Sequence, residues 1–218
     1  MKKKLLISGI LFFGILQLQA HTINYTLNKM DDGQVFWRYL QQGFLHILPL
    51  GLDHILFILC VFFLNTNLKK IILQASMFTV AHTITLGLSM YGIIDPPGNY
   101  IEPLIALSIV FLAVENIYSE KVKPWRMIMV FLFGLVHGMG FAGVLKELGM
   151  PAYAFSTALI SFNIGVEIGQ LFIILLMYFL ISRNFSNTKW YRPKLVIPVS
   201  VIIAVIAGYW TFERIFFV

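Results

Sequence analysis

The sequence is poor in charge and in cysteine. Only 12% of its 218 residues are Asp, Glu, Lys or Arg, whereas soluble domains have about 25%. Its one cysteine, Cys60, excludes a disulfide framework, a CxxC metal site and a thiolate-rich site. The peptidase motif HExxH, the hydrolase motif GxSxG and a nucleotide-binding loop are also missing. No polar stretch is long enough to fold separately, so we expect one domain.

Apolar residues dominate instead. The chain is 59% hydrophobic, with 20 Phe and a mean hydropathy of +0.83. This composition predicts an all-α, polytopic bundle in a lipid bilayer. The net charge of +6 does not indicate nucleic acid, because the charges lie in short loops between spans. We predict six transmembrane helices, near 43–64, 70–93, 102–119, 127–147, 153–182 and 195–217.

The N-terminus is typical of a secretory signal peptide over residues 1–20. Three lysines precede an apolar core, and Ala20 stands at the expected cleavage site. Leu18 occupies a position that favours a small residue, so an uncleaved anchor is the alternative.

A short periplasmic segment with an interfacial helix is predicted over residues 21–42, before the transmembrane domain 43–218. A turn is expected at Asp31, Asp32 and Gly33. Trp37 and Tyr39 are expected at the headgroup level, where amphipathic aromatic rings are favoured.

Lysine and arginine predict the orientation. Nine lie in the loops 65–69, 120–126 and 183–194 or at adjoining helix ends, against four on the other side. The positive-inside rule then places both mature termini outside the cytoplasmic (inner) membrane of a bacterium. The nine are Lys69, Lys70, Lys121, Lys123, Arg126, Arg183, Lys189, Arg192 and Lys194, and the four are Lys29, Arg38, Lys146 and Arg214.

The first span carries polar groups that are costly in a bilayer. His46 and Asp53 are seven residues apart, nearly on one helical face, and His54 follows. A charged group at mid-membrane costs roughly 2.5–3.5 kcal/mol on insertion scales, so such groups usually pair, bind ions or move protons. Pro49 predicts a kink that frees carbonyls to face a cavity.

Other spans supply further nitrogen and oxygen donors. The predicted metal ligands are His46, Asp53, His54, His82, His137 and Glu167. Imidazole suits nickel, cobalt, zinc and copper. For each histidine alone, an interhelical hydrogen bond is the alternative. Possible supporting or exit residues are Glu115, Asn116, Asn163 and Gln170, although Lys121 or Lys123 could neutralise Glu115.

From Phe36 to Phe217 the chain resembles the HupE/UreJ family of hydrogenase- and urease-accessory membrane proteins. The matching segments are GFLHIL, DHILF, FTVAHTITL, Glu-Asn after the third span, GLVHGMGFA and FNIGVEIGQ. The resemblance implies six spans, a cleaved signal, and permeation of nickel, sometimes cobalt. The family's first-span ligands fall on His46, Asp53 and His54, and its fourth-span HG falls on His137 and Gly138.

The chain departs from the characterised nickel branch at two places. That branch has a His-Pro pair six residues before its Asp, whereas Ile47 follows His46 here. Phe133 and Gly140 replace a His and a Glu of its fourth-span motif. A carboxylate must then come from elsewhere, and Glu167 is the candidate.

Three functions follow from these residues. The first is a permease for a divalent transition metal of the nickel or cobalt type, with zinc and copper also possible. The second is an intramembrane zinc hydrolase in which Asp53 or Glu167 activates water. The third is a membrane accessory protein that senses metal or scaffolds another complex without transporting the metal.

Overall fold

The computed structural model describes residues 30–65 and 67–217, with residues 147 and 148 described by their backbone alone. The predicted signal peptide lies outside these ranges. Within them every regular element is helical, which confirms the all-α prediction. The main helices are α1 (Asp32–Ile47), α2 (Leu52–Phe63), α3 (Leu68–Met90), α4 (Gly98–Tyr118), α5 (Trp125–Leu148), α6 (Phe155–Met177) and α7 (Ile197–Phe216).

In the part of the chain that the structure describes, five helical segments are long and apolar enough to cross a membrane, and α1 with α2 makes a sixth if the pair is one broken span. The segment around α6 runs over 34 residues, Ala152–Phe185, through a π-helical turn at Tyr178–Ser182. This length agrees with the long fifth span that the sequence predicts. Many apolar side chains remain exposed on the outside of the bundle, as expected when lipid is the solvent.

The first span differs from its prediction. Instead of one kinked helix over 43–64, two helices meet at an angle of 68°. Pro49 lies in the break, where it has no N–H to donate, and Gly51 precedes the first residue of α2. The predicted start at residue 43 therefore falls inside α1.

α1 begins further upstream because its N-terminus is capped. The Asp31 side chain accepts a hydrogen bond from the Gln34 N–H (2.8 Å), and the Gln34 side chain accepts one from the Asp31 N–H (3.1 Å). This reciprocal pair is a capping box, which satisfies two N–H groups. The turn predicted at Asp31, Asp32 and Gly33 is therefore a helix N-terminus.

α1 packs directly along α6. A Cβ at Gly43 would overlap the backbone of Phe162, so only glycine permits this approach. Tyr39 is 2% exposed and donates a hydrogen bond to the Gly149 carbonyl (2.6 Å). Trp37 is 68% exposed and Tyr39 is buried in protein, and their place at the headgroup level stays a prediction.

α3 and α5 form a second close pair. A Cβ at Gly138 would collide with the His82 carbonyl and the Thr85 side chain. Thr85 donates a hydrogen bond across the interface to the Leu135 carbonyl (2.7 Å). This near contact of two backbones brings the helices that carry His82 and His137 together.

Candidate metal centre

A cavity of about 750 Å³ opens where α4 begins and where α5 and α7 end. Its rim includes the exposed side chains of Leu50 and Leu52, which flank the break in the first span. The cavity therefore reaches from the surface of the bundle to four of the predicted ligands. The polar residues of its lining are Gln42, His46, Asp53, His54, Glu102, His137 and Arg214.

Four histidines converge at the inner end of this cavity. His46, His54 and His82 each offer a ring nitrogen, and these nitrogens lie within 4.8 Å of one another. The His137 ring lies beside them, with its centroid 5.1 Å from that of His54. They come from four helices: the last turn of α1, the first turn of α2, and the middles of α3 and α5.

Two of the rings are oriented by hydrogen bonds at Nδ1. His82 Nδ1 lies 3.2 Å from Asn163 Oδ1, and His137 Nδ1 lies 2.8 Å from the Phe133 carbonyl. The Asn163 amide nitrogen donates to the Leu159 carbonyl (2.8 Å), which directs Oδ1 towards the ring. Because both ring partners are acceptors, Nδ1 carries the hydrogen and Nε2 keeps its lone pair.

The Nε2 atoms of His46, His54, His82 and His137 are all buried, and none has a hydrogen-bond partner among the described residues. A buried polar atom without a partner costs about 1–3 kcal/mol. Four such atoms on neighbouring rings fit a metal ion, which imidazole binds through this lone pair. Among the described residues, interhelical hydrogen bonding explains only His82, and there only at Nδ1.

Asp53 lies in the same cavity but is held by Arg214. The guanidinium reaches both carboxylate oxygens, at 2.9 Å and 3.3 Å, and also the Glu102 carbonyl at 3.1 Å. Sequence reasoning treated Arg214 only as a charge on the outer side and missed this pair. Arginine near the end of an apolar span was the available signal, since such a charge usually has an acidic partner.

Glu167 lies between α3 and α6, outside the group of three histidines. Its carboxylate accepts hydrogen bonds from Ser76 (2.6 Å) and Thr79 (2.5 Å). Thr79 also lies 3.2 Å from the Gln170 side-chain oxygen. Of the predicted supporting residues, Asn163 therefore touches a histidine directly, whereas Gln170 meets the hydroxyl of Thr79.

At the opposite end of the bundle, Glu115 forms an ion pair with Arg126. Arg126 is 0% exposed and also donates to Gln74 (3.2 Å), Asn116 (3.3 Å) and the Cys60 carbonyl (2.8 Å). Arg126 is thus a buried network residue and not the loop charge that the sequence predicted. It also replaces Lys121 and Lys123 as the ion-pair partner of Glu115.

These observations define a multi-span helical membrane protein with a buried histidine cluster that fits a metal ion. The chain belongs to the HupE/UreJ protein family, whose model matches residues 22–214. Membership suggests an accessory or transport membrane protein for nickel or cobalt. The chain has no significant match among curated proteins or among solved structures.

Proposed function

We propose that this protein is a divalent transition-metal permease of the cytoplasmic membrane, with nickel or cobalt as its cargo. The observation that carries the proposal is a group of four neighbouring histidine rings at the end of an open cavity. Their Nε2 atoms are buried without a partner among the described residues, and His46, His54 and His82 offer ring nitrogens within 4.8 Å of one another. The lysine and arginine distribution supports placing the cavity on the outer side, with both mature termini there.

The proposed route starts at the cavity. A metal ion would exchange water for Asp53, His46 and His54, and would share that site with the adjoining rings of His82 and His137. Glu167 is the next candidate ligand, and Glu115 marks the proposed exit at the opposite end. Successive weak sites suit permeation, because a single tight cage would trap the ion.

Transport into liposomes by the purified full chain tests this function. We expect influx of nickel or cobalt, with zinc and copper as comparison ions. His82→Ala should abolish influx, whereas Ser89→Ala should not, since Ser89 is a buried residue of the same helix whose hydroxyl has no partner among the described residues. A folded wild-type protein that moves none of the four metals would overturn the permease. Tight binding without flux would instead favour the accessory, metal-sensing role.

The size of the cavity favours one alternative, an intramembrane metal-dependent hydrolase. About 750 Å³ is far more than a hydrated ion needs and would admit a lipid headgroup or a short peptide. In this function the histidines would retain zinc and a carboxylate would activate water. Stoichiometric zinc after purification, with lipid or peptide turnover that is lost in His137→Ala, would support it over the permease.

A further inference from the structure

The mouth of the cavity carries a fixed ion pair rather than a free carboxylate. Arg214 binds Asp53 through both terminal nitrogens, the two-pronged geometry that makes arginine–carboxylate pairs strong. Both side chains are partly exposed to the cavity, at 20% and 23%. The pair joins the last turn of α7 to the first turn of α2, across 161 residues of sequence.

Asp53 is the carboxylate best placed to assist the histidine cluster. It precedes His54 in the chain, and both residues line the cavity. The lining carries two carboxylates, Asp53 and Glu102, and one guanidinium. As long as Arg214 holds it, Asp53 offers an incoming ion little net charge.

Arg214 has two further partners that could bind its guanidinium after it releases Asp53. Its Nη1 donates to the Glu102 carbonyl (3.1 Å), and its guanidinium lies 5.5 Å from the centroid of the Trp210 ring. An arginine over a tryptophan face is stabilised by the ring quadrupole. The guanidinium can therefore leave the carboxylate without losing every partner.

We propose that Arg214 is a tethered cation that occupies Asp53 until a divalent ion displaces it, and that it thereby sets the affinity and charge selectivity of the histidine site. This inference rests on the proposed function. A divalent ion attracts a carboxylate about twice as strongly as a monovalent ion at equal distance, so it can compete with the guanidinium. Sodium or potassium carries only the charge that Arg214 already supplies. Arg214 is thus a positioning residue, which acts through Asp53.

Nickel binding to the purified full chain in nanodiscs, measured by calorimetry, tests this assignment. We expect Arg214→Gln to tighten nickel binding at least tenfold and to make it sensitive to competing sodium. Arg214→Lys should lie between wild type and Arg214→Gln because it keeps the charge but loses the two-pronged geometry. Lys146→Gln is the matched control, since it breaks an exposed ion pair with Asp95 (3.0 Å) elsewhere on the chain. A thermal melt of each variant verifies folding.

Arg214 could affect nickel binding by competing with the ion for Asp53 or merely through its positive charge. A double-mutant cycle with Asp53→Asn separates these two effects. If Arg214 acts through Asp53, Asp53→Asn should weaken nickel binding more in the Arg214→Gln background than in wild type. Additive effects, or unchanged or weaker binding in folded Arg214→Gln, would overturn the inference. If wild type itself binds no metal and His54→Ala behaves identically, the proposed function has failed instead.

Discussion

At the scale of single residues, the site depends on which ring nitrogen of each histidine faces the cluster. For His82 and His137 this nitrogen is Nε2. The Asn163 side-chain oxygen and the Phe133 carbonyl oxygen can only accept hydrogen bonds, so Nδ1 of each ring carries the hydrogen. Partners of this kind hold a ligand in its tautomer and its orientation before the metal arrives. Affinity should therefore depend on residues that never touch the ion.

Asn163→Ala tests that dependence. Loss of the 3.2 Å contact should let the His82 ring rotate and should weaken nickel binding about 10- to 100-fold, the usual effect of removing such a partner. Calorimetry in nanodiscs measures this affinity. Asn184→Ala is the control, because Asn184 is an exposed asparagine far along the chain from the cluster. Equal affinities in wild type and Asn163→Ala would contradict the assigned role.

Acid should weaken metal binding at the same site. The metal and the proton compete for the Nε2 lone pair, so each imidazole that takes up a proton is lost as a ligand. We therefore expect affinity for nickel to stay nearly constant while the rings are neutral and to fall once the pH is low enough to protonate them, with protons displaced by the metal only in that acid range. Titrations in buffers of different ionisation enthalpy count these protons. Binding independent of pH in that acid range would exclude the histidines as ligands.

At the scale of helices, glycine positions fix how close the ligand-bearing helices lie. α1 reaches α6 at Gly43, and α3 reaches α5 at Gly138. His46 and His82 are one turn or less from these points of contact along their helices, so helix spacing controls ligand spacing.

Gly43→Ala and Gly143→Ala make a matched pair for this control. The first Cβ would overlap the Phe162 backbone, whereas the second would meet nothing within 4 Å. We expect Gly43→Ala to destabilise the fold by about 1–3 kcal/mol, the usual cost of overpacking, and to impair metal binding. Gly143→Ala should be neutral or slightly stabilising because alanine favours a helix. Denaturation in detergent compares the two, and equal stability would contradict the close contact.

The buried network around Arg126 ties four helices together. Its partners come from α2, α3 and α4, and Arg126 itself lies in the first turn of α5. Arg126→Met should destabilise the protein by about 3–5 kcal/mol, because it leaves the Glu115 carboxylate buried without its cation. The double variant with Glu115→Gln should recover much of that loss. A double variant as unstable as Arg126→Met would refute this explanation.

The sequence predicted the positions of helices better than the contacts between their side chains. Apolar length predicts five of the spans to within a few residues, because bilayer thickness fixes how long a helix must be. It predicted a helix before residue 43 but separated it from the first span, whereas α1 runs unbroken from Asp32 to Ile47 and buries Val35 and Tyr39 in its upstream half. It also missed the partners of Asp53 and Glu115, since which charges meet is decided by helix packing and not by spacing along the chain.

At the scale of the whole molecule, the two ends of the bundle differ. The cavity opens at the end that carries Arg214, whereas Arg126 and its partners fill the other end with buried hydrogen bonds. The histidine cluster lies between them. The cavity mouth, the histidine cluster and the Arg126 network each draw residues from several helices. A movement of one helix pair would therefore alter all three together.

For the proposed permease, the packed end around Arg126 has a kinetic consequence. An ion bound at the histidines could return through the cavity, but the proposed exit at Glu115 would open only after this buried carboxylate separates from Arg126. Each ion would then require one conformational cycle, on the microsecond-to-second scale of such rearrangements. Flux should saturate with metal concentration and rise steeply with temperature, which is the behaviour of a carrier and not of an open pore.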